Sequence, residues 1–169
     1  MHGMDDVPWL TDEEQAAWRA FISGAHRLLA RLDADLKSAG VAHDDYGVLV
    51  ALSEADGDRL RMSELADKVV ESRSRLSHHV ARMEARGLVA RTRCPEDRRG
   101  SWAELTPAGR SAIEAAAPHH VEGVRRWFLD HAEPGELDAV RALFARIDAA
   151  LLDECGPCAE QVLTDEDRR

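Results

Sequence analysis

Ser74, Arg75, His78 and Arg82, with Ala81 among them, fall on one side of a helical wheel; Leu76, Val80 and Met83 occupy the other side within about 60°. The first face offers hydroxyl, imidazole and guanidinium groups with nothing bulky between them. Small residues let a helix settle into a major groove, where Ser, His and Arg reach phosphates and base edges. Further on, Asp97-Arg98-Arg99-Gly100 sets two guanidinium groups in a turn. An arginine at such a tip suits an A·T-rich minor groove, where the potential is most negative. Asp97 can hold Arg99 through a bidentate pair and reduce the ordering cost.

Other residues suggest different chemistry. Cys155-Gly-Pro-Cys158 matches a redox tetrad, but that chemistry needs a helix N-terminus to lower a thiol pKa. Here the tetrad follows a long helical pattern with no βαβ unit around it. A thiol-disulfide oxidoreductase or a redox sensor is therefore the alternative reading, with Cys94, Cys155 and Cys158 as its thiols. Adjacent His119 and His120 would point about 100° apart on a helix, so neither a metal site nor a cofactor is expected. Trp18, Phe21, His26, His43 and Tyr46 are candidates to line a cleft for a small aromatic or phenolic effector.

These groups need a scaffold, and the periodicity supplies one. Thr11-Asp-Glu-Glu14 reads as a capping box before a helix of about seven turns that ends near Gly40. Asp44 is expected to cap a second helix and Ser63 a third, short one. Ser72 is expected to cap a fourth that ends at Arg86 and is closed by Gly87. Residues 88–93 and 102–105 alternate as two strands of a hairpin. Helical spacing returns after Pro107, with Pro118 expected to kink or interrupt it. Glu133-Pro134 is expected to open the last helix, whose stripe is Leu137, Val140, Leu143, Phe144, Ile147 and Leu151. The fold class is mainly α. Residues 1–40 and 108–169 form helical arms around a helix-helix-hairpin module at 41–107.

The net charge of −10 at first argues against a nucleic-acid partner. Its distribution argues the other way. Residues 59–99 hold eleven basic and six acidic side chains, net +5, leaving −15 for the rest. That is a basic module in an acidic body. No apolar run approaches the roughly 20 residues that span a bilayer. With no secretory pattern at the N-terminus either, a cytoplasmic protein without a membrane partner is expected.

Three runs carry a more specific signal: Met62-Ser-Glu-Leu-Ala66, the stretch from Leu76 to Arg91 ending Arg86-Gly-Leu-Val-Ala-Arg91, and Pro95-Glu-Asp-Arg-Arg-Gly-Ser-Trp-Ala-Glu-Leu-Thr-Pro-Ala-Gly109. In this order and spacing the chain resembles the multiple antibiotic resistance regulator (MarR) family. The resemblance implies a winged helix-turn-helix, three helices plus a β-hairpin wing, flanked by long N- and C-terminal dimerisation helices. It implies a homodimeric transcription regulator, a repressor, on an inverted-repeat operator in double-stranded DNA, released by a small ligand or by thiol oxidation. A winged-helix protein-interaction module is the second alternative. The helix from Ser72 would read the major groove, which adds Ser72, Arg73, Ser77 and His79 to the candidate contacts; Arg98 and Arg99 would lie at the minor groove, with Asp97 orienting Arg99. One departure is Val70, where many helix-turn-helix sequences place glycine. A β-branched residue is costly at positive φ, so the turn is expected to avoid that conformation.

Overall fold

The computed structural model describes residues 7–94 and 100–154. Helix α1 (Asp12–Ser38) begins as its sequence requires: Thr11 Oγ1 accepts from the Glu14 N–H at 3.2 Å, and Glu14 accepts from the Thr11 N–H at 2.8 Å. It closes before Gly40, which takes φ +83°. Helix α2 (His43–Ser53) starts one residue before Asp44, which therefore does not cap it. Its N-cap, Ala42, has no side-chain oxygen; instead the His43 N–H donates to Asp33 of α1 at 3.1 Å. A neighbouring helix supplies the cap that the local sequence lacks.

The module follows. Strand β1 (Arg59–Arg61) leads into α3 (Met62–Val69), then come α4 (Arg73–Ala85), β2 (Val89–Arg93) and β3 (Ser101–Leu105). The antiparallel sheet has the order β1-β3-β2, with Arg61 opposite Trp102 and Arg93 opposite Ser101. Helix α3 begins one residue before Ser63, and the Arg61 N–H donates to Glu64 at 3.1 Å in place of a Ser63 cap. Leu36, Val48, Leu49, Leu52, Leu65, Leu76, Val80, Met83 and Val89 form one fully buried core beneath the sheet. Burying each of these side chains stabilises by about 2 kcal/mol.

The turn between α3 and α4 departs from expectation. Val70 sits at φ 55°, ψ 44°, the left-handed region it was expected to avoid. The Glu71 N–H reaches back to the Ala66 carbonyl at 3.0 Å, so the turn ends α3 with a left-handed C-cap bond whatever residue stands there. Val70 is 89% exposed and gains little packing in return for the strain. Val70→Gly is expected to raise stability by about 1 kcal/mol, seen as a higher Tm in thermal denaturation.

Thr106 caps α5 (Pro107–Trp127), its Oγ1 accepting from the Gly109 N–H at 3.0 Å. Of the two expected effects of Pro118, interruption does not occur: the helix runs on through it. Proline there removes only the bond to the Glu114 carbonyl, and both residues are exposed to water. Helix α6 (Glu136–Glu154) starts two residues after Pro134, because Gly135 at φ +88° makes the turn first. Helices α1 and α5 are locked by Trp127, whose indole N–H donates to Asp35 at 3.1 Å. Among the described residues no helix is long and apolar enough to cross a membrane.

Candidate nucleic-acid interface

Helix α4 has two chemically opposite faces. Leu76, Val80 and Met83 anchor it in the core, while Arg73, Ser74, Arg75, His78, Ala81 and Arg82 are exposed. Ser72 is half-buried, and its hydroxyl oxygen accepts from the Arg75 N–H at 3.2 Å to hold the first turn. Ser77 faces the sheet instead of solvent. Its carbonyl accepts from the Arg91 guanidinium of β2, and its hydroxyl lies 3.5 Å from another nitrogen of the same group. The Arg91 N–H in turn donates to Glu84 of α4 at 3.0 Å. These bonds fix the hairpin against the helix.

His79 does not belong to the exposed face, which corrects its place among the candidate contacts. It is 3% exposed, with Nε2 2.9 Å from Asp45 Oδ1 and Nδ1 3.2 Å from Glu71 Oε1. Asp45 also accepts from Arg86 at the end of α4. The Asp45 hydrogen bond raises the His79 pKa above its ordinary value despite burial, and the His79 bond holds the Asp45 pKa below its own.

Folding also gathers cations that the sequence places only in one basic stretch, Arg73 alone among them standing as a candidate contact. Arg61, Arg73 and Arg91, with Ser63, Ser77 and Ser101, line a cleft of about 380 Å³ between α4 and the sheet. On the same sheet, the guanidiniums of Arg59 and Arg61 lie 4.9 and 5.3 Å from the Trp102 ring centre. The basic stretch 59–99 contains all of them, but the alternation Arg59-Leu-Arg61 is too short to read as a strand, so their grouping was not legible. Asp97, Arg98 and Arg99 lie outside the described residues. The strands that lead to them stay paired to Arg93 and Ser101, and beyond that pair the Cys94 N–H donates to the Gly100 carbonyl at 3.1 Å.

The five candidate effector residues do not line one cleft. Trp18 and Phe21 are largely exposed on α1, with Phe21 5.6 Å from the Phe144 ring of α6. His26 is exposed on α1. Tyr46 is buried against His120 of α5, ring centres 4.7 Å apart, and His43 lies 6.3 Å from the same ring. Burial and the nearby His43 push the His120 pKa down. Cys94 is buried with a free thiol, and Cys155 and Cys158 lie outside the described residues. Among the described residues no three His, Cys, Asp or Glu side chains converge as metal ligands would.

Residues 39–100 match the MarR family. The structure is similar to AbsC, a MarR family transcriptional regulator from Streptomyces coelicolor, at 44% identity over 87% of this chain and 99% of that one, with a TM-score of 0.84. It is similar to Sco3205, a MarR family transcriptional regulator from the same organism solved in complex with DNA, at 42% identity over 86% and 92% of the two chains, with a TM-score of 0.83. Among sequences, an HTH-type transcriptional regulator of Bacillus subtilis, YdgJ, is 32% identical over 77 residues, 46% of each chain. The match to YdgJ thus spans just under half of that relative's length.

Proposed function

The chain belongs to the MarR family of DNA-binding transcription regulators, and from that premise we propose that it is a homodimeric repressor of an inverted-repeat operator. The observation that carries the reading is the exposed face of α4, where Arg73, Ser74, Arg75, His78 and Arg82 stand on a helix braced from behind by Leu76, Val80 and Met83. A helix presented in this way enters a major groove, its arginines on phosphates and guanines and its small residues allowing close approach. The net +5 of residues 59–99, in a chain of −10, confines the attraction to that side.

In this reading residues 41–107 are the DNA-binding module, and residues 1–40 and 108–169 are the dimerisation arms. A single chain leaves an almost wholly apolar groove of about 630 Å³ between Leu10, Trp18 and Phe21 and the α6 residues Leu143, Phe144 and Ile147. An apolar surface of that kind is covered by a second copy. Two modules on one face of the duplex then read half-sites about 10 bp apart. Arg99 enters the minor groove and Asp97 orients it. A small aromatic effector would release the dimer by disturbing the ring cluster of His43, Tyr46 and His120, which joins α2 to α5.

The test is selection of duplexes from a random pool, followed by binding titrations at several salt concentrations. Arg99→Ala is expected to weaken operator binding by about ten- to a hundredfold, the cost of one good groove contact. Arg75→Ala and His78→Ala are expected to alter sequence preference more than salt slope. Unchanged affinity in Arg99→Ala would refute the wing assignment.

A further inference from the structure

Asp45 and His79 are the two charged side chains sealed into the core among the described residues, and the DNA-contacting face of α4 makes no use of either. Their geometry sets a protonation state. A neutral imidazole has one N–H and one lone pair, and a carboxylate only accepts. His79 meets carboxylate oxygens at both nitrogens, at 2.9 Å from α2 and 3.2 Å from the α3–α4 turn. Only the imidazolium satisfies both. The charged groups around it are Asp45 from α2, Glu71 from the turn and, through Asp45, Arg86 from the end of α4. With His79 protonated these four groups sum to zero. Without the proton they carry −1 in a buried site, a costly arrangement.

The proton also joins three elements. Asp45 lies in the first turn of α2, and His79 belongs to α4. Glu71 immediately precedes Ser72, the cap that sets the first turn of α4. The second carboxylate oxygen of Glu71 is buried and has no hydrogen-bond partner, so His79 is what holds this side chain inward.

We propose that His79 is a positioning residue for DNA binding, which must be protonated to hold α4 and the turn before it against α2, so that affinity for the duplex is lost as that proton leaves. The inference rests on the reading of α4 as the groove-binding helix. When the proton leaves, one imidazole nitrogen opposes a carboxylate with a lone pair, and Glu71 gains by turning out to water. Ser72 and the first turn of α4, with Arg73 and Arg75, shift with it. The sign follows from the partners: a histidine whose pKa is raised above 6.5 contributes fully below that value and loses its contribution as the pH rises through the folded-state pKa.

The experiment is fluorescence anisotropy of the full chain on a duplex selected at about pH 6. It is run at constant ionic strength from about pH 7.5, a unit above the ordinary histidine value, to about pH 9.5. The wild type is expected to lose at least about tenfold in affinity across this range, the effect of one linked proton over a pH unit or more. His79→Gln should lose most of that dependence. Glu71→Gln keeps one carboxylate on the ring, so its affinity should fall at lower pH than the wild type's. This second variant decides the matter even where His79→Gln does not fold. A flat wild-type profile, or the same profile in Glu71→Gln, overturns the inference and leaves the DNA interface standing. A chain that binds no duplex even at pH 6 removes both.

Discussion

Gly109→Ala is expected to destabilise the protein by about 3 kcal/mol, the upper range for forcing atoms into a filled site. In a helix of this kind propensity alone predicts the opposite sign, because alanine is favoured over glycine by up to about 1 kcal/mol. Packing decides against it. A Cβ at position 109 would lie 2.1 Å from the Leu88 carbonyl oxygen and 2.8 Å from a Leu105 methyl. The leucine could rotate, but the carbonyl cannot: it accepts from the Thr106 N–H at 3.2 Å and from the Thr106 hydroxyl at 3.0 Å. Relieving the clash means separating α5 from the base of the hairpin and losing those bonds. Urea denaturation measures the effect. Gly47→Ala in α2, where a Cβ meets nothing within 4 Å, is the control and should be neutral or slightly stabilising. Equal effects at the two positions would show that the close approach does not matter.

Asp45→Ala is expected to have an effect of the same size, about 3 kcal/mol near neutral pH, the cost of removing one partner from a buried ion pair. Its pH dependence separates it from a simple cavity. The Asp45 carboxyl, held below its ordinary 3.8 chiefly by His79, contributes above that value and loses its contribution as the pH falls through the folded-state pKa. His79 contributes below 6.5 and loses its contribution as the pH rises through its raised pKa. The stability gap between wild type and Asp45→Ala should therefore be widest between these limits and shrink on either side. Urea midpoints measured across pH test this, and a gap that stays constant would mean that Asp45 and His79 are not ionised together.

How much of this was legible in the sequence depends on the distance between partners. Thr11 with Glu14, Ser72 with Arg75, and Gly87 after α4 act within one helical turn, and their residue types announced them. The alternation around the hairpin was equally local. Strand β1 was missed because Arg-Leu-Arg has a single apolar side chain and becomes a strand through pairing with β3. His79 lies about 60° from Leu76 on the wheel, at the edge of the apolar face. Its angle hinted at burial, but Asp45, the partner that makes burial tolerable, is 34 positions away. The aromatic candidates failed for a similar reason. Trp18 and Tyr46 share a chemistry, yet one faces α6 and the other α5, a division that only the packing of the arms determines. Val70 shows the reverse case, in which the residue type argued correctly about cost and the chain adopts the conformation regardless.

The unbroken course of α5 has a mechanical consequence. Its 21 residues make a rod about 30 Å long, with one end wedged by Gly109 against the hairpin and the other tied by Trp127 to α1. A tilt of about 10° at the tied end would swing the wedged end by about 5 Å, more than one base-pair step. Had Pro118 broken the rod, such a tilt would have dissipated at a joint. In the proposed dimer, α5 would instead turn a small rearrangement among the arms into a misfit between the two halves of a caliper, so that the proposed ligand would spoil the spacing without touching the DNA-reading surface.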